Sequence, residues 1–328
     1  MPSVSDDRGV TVGVGRSFGE LTVFPILTND QEDLGAFVTL EQAIASKDAE
    51  VREADASGRV NTLVIANKGD KSVFVLAGTL VKGGKQDRQI GQDFSVAPHE
   101  TVPVDAYCVE PHRWNGTRAG VPTQNRFGTA KTLANSSIRA AGQYKKNQLE
   151  VWEKVGQVNA QNHKASPTGT LNATLDDAEI TQQRAVLARQ ISDYLAQQPS
   201  ARDIVGLAYA VEGKVRGVRW FANHDLFALY GEVLSNTAAL ESITAVHGAA
   251  GTLRVNYVPP TPEMVTEFVD EIDHATTVEE RPTQGENVNT YKESKSGYGS
   301  SAALKPNTGK APPKAGKKSA ISRDFTAK

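Results

Sequence analysis

The sequence predicts an α+β fold: an N-terminal antiparallel β-sheet or sandwich-like module, a helical insertion, and a second α+β part. Three observations carry that expectation. Between residues 60 and 109, five or so short apolar or alternating runs are separated by turn-sized gaps. Those gaps are too short for βαβ crossovers, which need about a dozen linking residues. Helical patterns come later, grouped between 131 and 198 and again after 223, rather than alternating with strands. A chain of 328 residues, 39% hydrophobic and 23% charged, has the composition of an ordinary globular protein with a sizeable core.

Taken in order, residues 1–18 are polar and glycine-rich and read as a flexible arm. Glu20–Leu27 is a strand, and Pro25, which lacks a ladder donor, places it at an edge. Thr39 with Gln42 three residues on is a capping-box signature for a short helix to Ser46. Ala49–Ala54 reads as a strand whose Glu50, Arg52 and Glu53 mark a partly solvated face. Val60–Ala66 and Ser72–Ala77 flank the turn Asn67-Lys-Gly-Asp70 and read as a hairpin, with positive φ expected at Gly69. Leu80–Lys82, Gln89–Val96 and Thr101–Val109 add strands, the last two joined at Pro98-His-Glu100.

After a polar loop at 115–128, Lys131 to Val158 reads as a long helix with few apolar members, and Leu175–Gln198 as a second with a 3.6-residue stripe. Ile204–Val211 and Val215–Phe221 form another expected hairpin. Asn223-His-Asp225 can cap a helix running to Val246. Thr252–Val258 reads as a strand, and Thr261-Pro-Glu263 opens a last helix to His274. The tail is rich in Gly, Ser, Ala, Pro and Lys and predicts disorder. The expected segments are thus an arm at 1–18, a β module at 19–116, a mostly helical segment at 117–200, an α+β part packed on the first at 201–293, and a disordered basic tail at 294–328. The two hairpins, at 60–77 and 204–221, raise an internal duplication as an alternative to coincidence.

Charge and cysteine content narrow the function classes. Residues 300–328 hold seven basic residues against one acid, or +6; with −2 for the whole chain, the body carries −8. An acidic body argues against specific nucleic-acid binding, since phosphate neutralisation needs clustered Lys and Arg, and leaves the tail only weak nonspecific contact. One cysteine, Cys108, makes neither an internal disulfide nor a multi-cysteine metal site. The N-terminus lacks a signal-peptide pattern and no run reaches about 18 apolar residues, so the expectation is a cytoplasmic chain without a membrane span. The scattered His99, Glu110, His112 and His224 show no ligand spacing, so neither metal nor cofactor is expected.

The chemistry concentrates in Gly83-Gly-Lys-Gln-Asp-Arg88 and Cys108-Val-Glu-Pro-His-Arg-Trp114. Two glycines before Lys85 and Arg88 suit a loop that grips a carboxylate or phosphate with backbone donors and cations. The blander reading is a structural β-turn whose charges are solvated or paired with Glu110. The spacing is not that of a P-loop, because Gln86 stands where a hydroxyl is required and a strand follows. On a continued strand Cys108, Glu110 and His112 share one face, and Glu110 can pair with Lys85 or Arg88. A nucleophilic Cys108 would need a neighbour to lower its pKa, and a lone strand cysteine is more often a small buried apolar group.

These two stretches, with Leu63-Val-Ile-Ala-Asn67 and Leu76-Ala-Gly78, resemble the ARG and rhodanese-phosphatase-superfamily-associated domain family of bacteria and archaea. The resemblance runs from about Leu21 to 246, and its matching positions are Lys85, Gln86, Arg88, Cys108, Glu110, Arg113 and Trp114. It departs at Thr79, where an acid is expected, at Ala106-Tyr107 and at Pro111-His112. The resemblance implies a fold neighbourhood and no reaction. The leading expectation is a non-catalytic protein binding a small anion or a protein partner through Lys85, Gln86, Arg88, Glu110 and Arg113. Lys85 and Arg88 would hold the anion, Gln86 would orient it, and Glu110 would order Arg88 or Arg113. The alternatives are a hydrolase of unknown substrate, with Glu110 or His112 as base, or an assembly protein using its helical segment. A homo-oligomer is compatible with any of these.

Overall fold

A computed structural model describes residues 1–4, 8–54, 61–118, 120–249, 257–306 and 320–328. The fold is α+β with several sheets, and the chain forms two compact units. One holds Met1–Gly35, Thr181–Arg281 and Val288–Lys328; the other holds Ala36–Ile180 and Pro282–Asn287. Neither is a continuous piece of chain, unlike the row of segments expected.

The unit containing Ala36–Ile180 is built on a six-stranded sheet. Its order is Phe127–Leu133, Thr79–Gly83, Arg88–Ile90, Thr101–Cys108, Thr62–Asn67 and Ala49–Glu53, with antiparallel pairing throughout. A three-stranded sheet, Phe94–Val96, Ser72–Val75 and Phe37–Thr39, packs into the same core. Val51, Leu63, Ile65, Val81, Ile90, Val104 and Ala106 fill that core from the larger sheet, with Val73, Val75, Phe94 and Val96 from the smaller. The helix Leu40–Ala45 starts with the expected capping box: Gln42 N donates to Thr39 Oγ1 and Thr39 N to Gln42 Oε1, each at 3.1 Å.

Several expectations fail in this unit; Gln89–Val96, expected as one strand, is split between Arg88–Ile90 and Phe94–Val96 in different sheets. Thr62–Asn67 and Ser72–Val75 are not a hairpin; they belong to different sheets, which removes the likeness that suggested a duplication. The reason lies at Asn67, whose Nδ2 donates to the carbonyls of Lys71, Val96 and Ala97 while its Oδ1 accepts from Gly69 N. That side chain redirects the strand with no left-handed glycine at 69. The long helix over 131–158 is instead the strand Phe127–Leu133, a short helical stretch Ser136–Tyr144 ending in a π turn, and the helix Gln148–Gln161. The break falls at Lys146, with φ 53°, and Asn147 caps the next helix by accepting from Leu149 N and Glu150 N.

The other unit carries a nine-stranded sheet. Its path runs Thr11–Val12, Leu21–Leu27, Ile204–Val211, Lys214–Phe221, Ala320–Ala327, Gly297–Leu304, Asn287–Glu293 and Thr277–Pro282, with Arg16–Phe18 also on Leu21–Leu27. The hairpin expected at 204–221 is present. So are the helices His224–Gly248, capped by Asn223, and Pro262–Asp273, capped by Thr261. The helix Ala178–Ala196 is present as expected. Leu21–Leu27 is interior rather than an edge. Pro25 is tolerated because its carbonyl, and therefore its nitrogen, faces the gap between Thr11–Val12 and Arg16–Phe18, where Gly13 N donates to it.

The tail read as disordered supplies two interior strands, Gly297–Leu304 and Ala320–Ala327, in register with each other and with Lys214–Phe221. Composition misled because it averaged away Tyr298, Ile321 and Phe325, all buried, and because small residues are what this position requires. A Cβ on Gly297 or Gly299 would come within 2.9 or 2.8 Å of Ile272 on the helix Pro262–Asp273. Trp220 and Phe325 stack at 5.2 Å across the strand pair. The expected strand at 252–258 and the tail at 307–319 lie wholly or largely outside the described residues. Among the described residues, no helix is long and apolar enough to cross a membrane.

Candidate functional site

The polar unit forms at one end of the six-stranded sheet. Gly83 ends its strand at φ 139°, and a Cβ there would stand 2.0 Å from the Arg126 carbonyl; Gly84 follows at φ 46°, against the Phe127 ring. The glycines therefore serve close approach of the neighbouring strand. Their amides are committed: Gly83 N donates to Asp87 Oδ1 at 2.8 Å, Gly84 N to Arg126 O at 3.1 Å, and Lys85 N to Glu53 Oε1 at 2.9 Å.

Asp87 is the hub. Its carboxylate accepts from Gly83 N, Arg113 Nη2, Arg118 Nε, Thr170 Oγ1 and, at 2.5 Å, Asn172 Nδ2. Arg113 is equally closed. Its Nε donates to Glu110 Oε2 at 2.7 Å, Nη1 to the carbonyls of Gly84 and Asn115, and Nη2 to Gly83 O and Asp87 Oδ1. All five guanidinium N–H groups are used. Glu110 Oε2 also accepts from Asp87 N at 3.2 Å, so Glu110 pairs with Arg113 and not with Lys85 or Arg88.

Arg88 and Ile90 are two apart on one strand and share the core face, so Arg88 is buried at the end of an apolar core, 0% exposed. Its partner is Glu53, at 2.9 Å, and its Nη1 donates to Thr62 O at 3.3 Å. Glu53 was expected on a solvated face, yet Ala49 and Val51 are buried at the same alternation, and Glu53 is buried with them.

Cys108 lies opposite Arg88 in register. Its backbone N–H and C=O both bond the Gln148 side-chain amide at 2.9 Å, while Val109 N donates to Asp87 O. Cys108 and Arg88 are therefore a non-hydrogen-bonded pair, whose side chains sit close. The Cys108 thiol donates to Gln86 Oε1 at 2.5 Å, and Gln86 Nε2 donates to Glu110 O at 2.9 Å. Burial pushes the thiol pKa up to about 11, and the opposing pull of Arg88 does not offset it. The thiol is thus neutral near pH 7 and is not poised as a nucleophile.

The strand ends at Cys108, so His112 does not continue its face; Glu110 is buried while His112 is exposed. Around the rim, Arg118 bridges Asp87 and Asp176, and Lys82 donates to Asp176 at 2.5 Å. Burial raises the Asp176 pKa, but Lys82 and Arg118 outweigh it and hold the carboxyl below its usual range.

Trp114 is different. The residue is 42% exposed, with the Lys85 ammonium 5.5 Å and the Arg88 guanidinium 5.6 Å from its ring centroid. The cations Lys82, Arg88, Arg113 and Arg118 pair with the carboxylates of Glu53, Asp87, Glu110 and Asp176. The structure thus brings together all the expected residues except His112. Glu53, Arg118, Gln148, Thr170, Asn172 and Asp176 were not anticipated. Only Glu53 had a local signal, its alternation with Ala49 and Val51; the others join from later segments. Among the described residues, no group of three or more His, Cys, Asp or Glu is placed to hold a metal ion.

A family model described as the ARG and Rhodanese-Phosphatase-superfamily-associated Protein domain matches residues 9–309. No curated protein and no solved structure matches the chain.

Proposed function

The chain belongs to the ARG and Rhodanese-Phosphatase-superfamily-associated Protein domain family, and we propose that it is a non-catalytic binding protein whose contact face is Trp114 with Lys85. The ligand is an anionic group, presented by a small molecule or by a protein partner. The observation that carries this reading is the half-exposed Trp114 held beside two cations, Lys85 and Arg88. An exposed tryptophan on a rigid base is a common anchor of interfaces, and an adjacent ammonium selects negative partners.

The remaining residues of the unit are its base. Arg113, Gln86 and Asp87 spend their hydrogen bonds on side chains and backbone within the unit, whereas Lys85 lies beside the exposed Trp114 ring and is the member of the expected set best placed to meet a ligand. A Glu110 held by Arg113 weighs against its serving as the base of the hydrolase reading. The lone buried thiol suits the reducing cytoplasm.

Calorimetric titration of a blocked tetraglutamate peptide tests the proposal. Wild-type protein binds it saturably, and Lys85→Ala weakens binding several-fold without changing the melting temperature. A Lys85→Ala protein that melts earlier and binds no differently would make the residue structural and defeat the proposal.

A further inference from the structure

Glu53 is held in an unusual way for a residue at the end of an edge strand. Its two carboxylate oxygens each take a different donor, Oε1 from Lys85 N and Oε2 from Arg88 Nη2, both at 2.9 Å. Those donors are fixed without it. Arg88 also donates to Thr62 O and faces Cys108 across the strand pair, and the loop bearing the Lys85 amide is pinned by Gly83 N on Asp87 and Gly84 N on Arg126 O. Among the described residues, Ala49–Glu53, by contrast, pairs on one side only and ends at Glu53. The donors are rigid and the acceptor is peripheral. Trp114, half-exposed, covers the Arg88 guanidinium from outside.

We propose that this cradle is a carboxylate site, and that in the free protein Glu53 fills it as an exchangeable stand-in for the carboxylate of a ligand. The inference rests on the Trp114–Lys85 face being the contact surface, and it names both the chemical class bound and the internal competitor. A backbone amide and a guanidinium N–H set side by side match the two oxygens of a planar carboxylate. Exchange of one carboxylate for another keeps the buried Arg88 neutralised, whereas a dianionic phosphate would bring a second charge into a site that offers one buried cation. The carboxylate comes from a small acid or from an acidic side chain of a partner laid across Trp114.

The test is Glu53→Ala titrated with sodium acetate against sodium chloride at matched ionic strength. Acetate raises its melting temperature by a few degrees and moves the Lys85 amide resonance saturably. Wild-type protein, whose own carboxylate competes at high effective concentration, responds at least about tenfold more weakly. Should the variant be unfolded without additive, acetate and not chloride restores the folded fraction. Absence of any acetate-specific effect, on melting or on refolding, overturns the proposal, as does an equal effect on the wild type. Blocked tetraglutamate distinguishes the sources: tighter binding than acetate to Glu53→Ala indicates a partner chain, equal binding a small acid. Failure here with the Lys85-dependent titration of wild type intact removes the cradle and leaves the face. Acetate rescue without that titration does the reverse.

Discussion

Arg113 donates to Glu110, Asp87 and three carbonyls from a fully enclosed position, so its replacement leaves two buried carboxylates short of donors. Arg113→Ala should cost about 3–5 kcal/mol, the range for breaking a buried ion pair, and Arg113→Lys should recover little of it because an ammonium cannot reproduce the planar fork. Urea unfolding checks both. Cys108 gives a pH prediction. Its folded pKa, about 11, lies above the ordinary thiol value of about 9, so the folded state keeps its proton longer than the unfolded one. The associated stability is complete below about pH 9 and is lost as pH rises through about 11. Unfolding followed from pH 8 to 11 should show this loss in the wild type and a smaller one in Cys108→Ala. Iodoacetamide at pH 8 should label the native thiol only as fast as the protein opens.

At the scale of elements, Gly83 and Thr39 separate two kinds of sequence signal. Gly83→Ala puts a Cβ 2.0 Å from a backbone carbonyl at φ 139°; it should destabilise the protein by more than about 1–3 kcal/mol, the range for a strained backbone residue. Thr39→Ala removes a cap and should cost about 1 kcal/mol. Thermal melts of the two variants give the ranking. The cap was legible because its partners are three residues apart, and so were the caps at Asn223 and Thr261. The double glycine was legible as a special backbone position, but its purpose was not: Arg126 and Phe127 approach from more than 40 residues on. The same limit hid Asp87, whose donors include Thr170 and Asn172. Sheet membership failed for a related reason. Thr62–Asn67 and Ser72–Val75 look like a hairpin locally, but each pairs with other strands, and Asn67 at the turn reaches to Val96 and Ala97.

Across the whole molecule, the C-terminal residues are structural. Ala320–Ala327 lies between Lys214–Phe221 and Gly297–Leu304, and buries Ile321 and Phe325. Arg219 pairs with Asp324 inside the same sheet, at 3.1 Å. Truncation after 319 therefore opens a nine-stranded sheet at its middle and should abolish cooperative unfolding of that unit, as read by near-ultraviolet circular dichroism. A merely basic, disordered tail could be removed without that effect. The polar unit belongs to the other unit of the chain, and Trp114, with Lys85 beside it, is its exposed aromatic. The binding role depends on whether that small face meets an anion. The indole N–H resonance of Trp114, assigned through Trp114→Phe, can be followed while blocked tetraglutamate is added to the wild-type protein. Of the three tryptophans in the chain, Trp114 alone should shift saturably, and the shift should need more peptide in Lys85→Ala. No shift, or equal movement of the Trp152 and Trp220 signals, would contradict a binding face at this position.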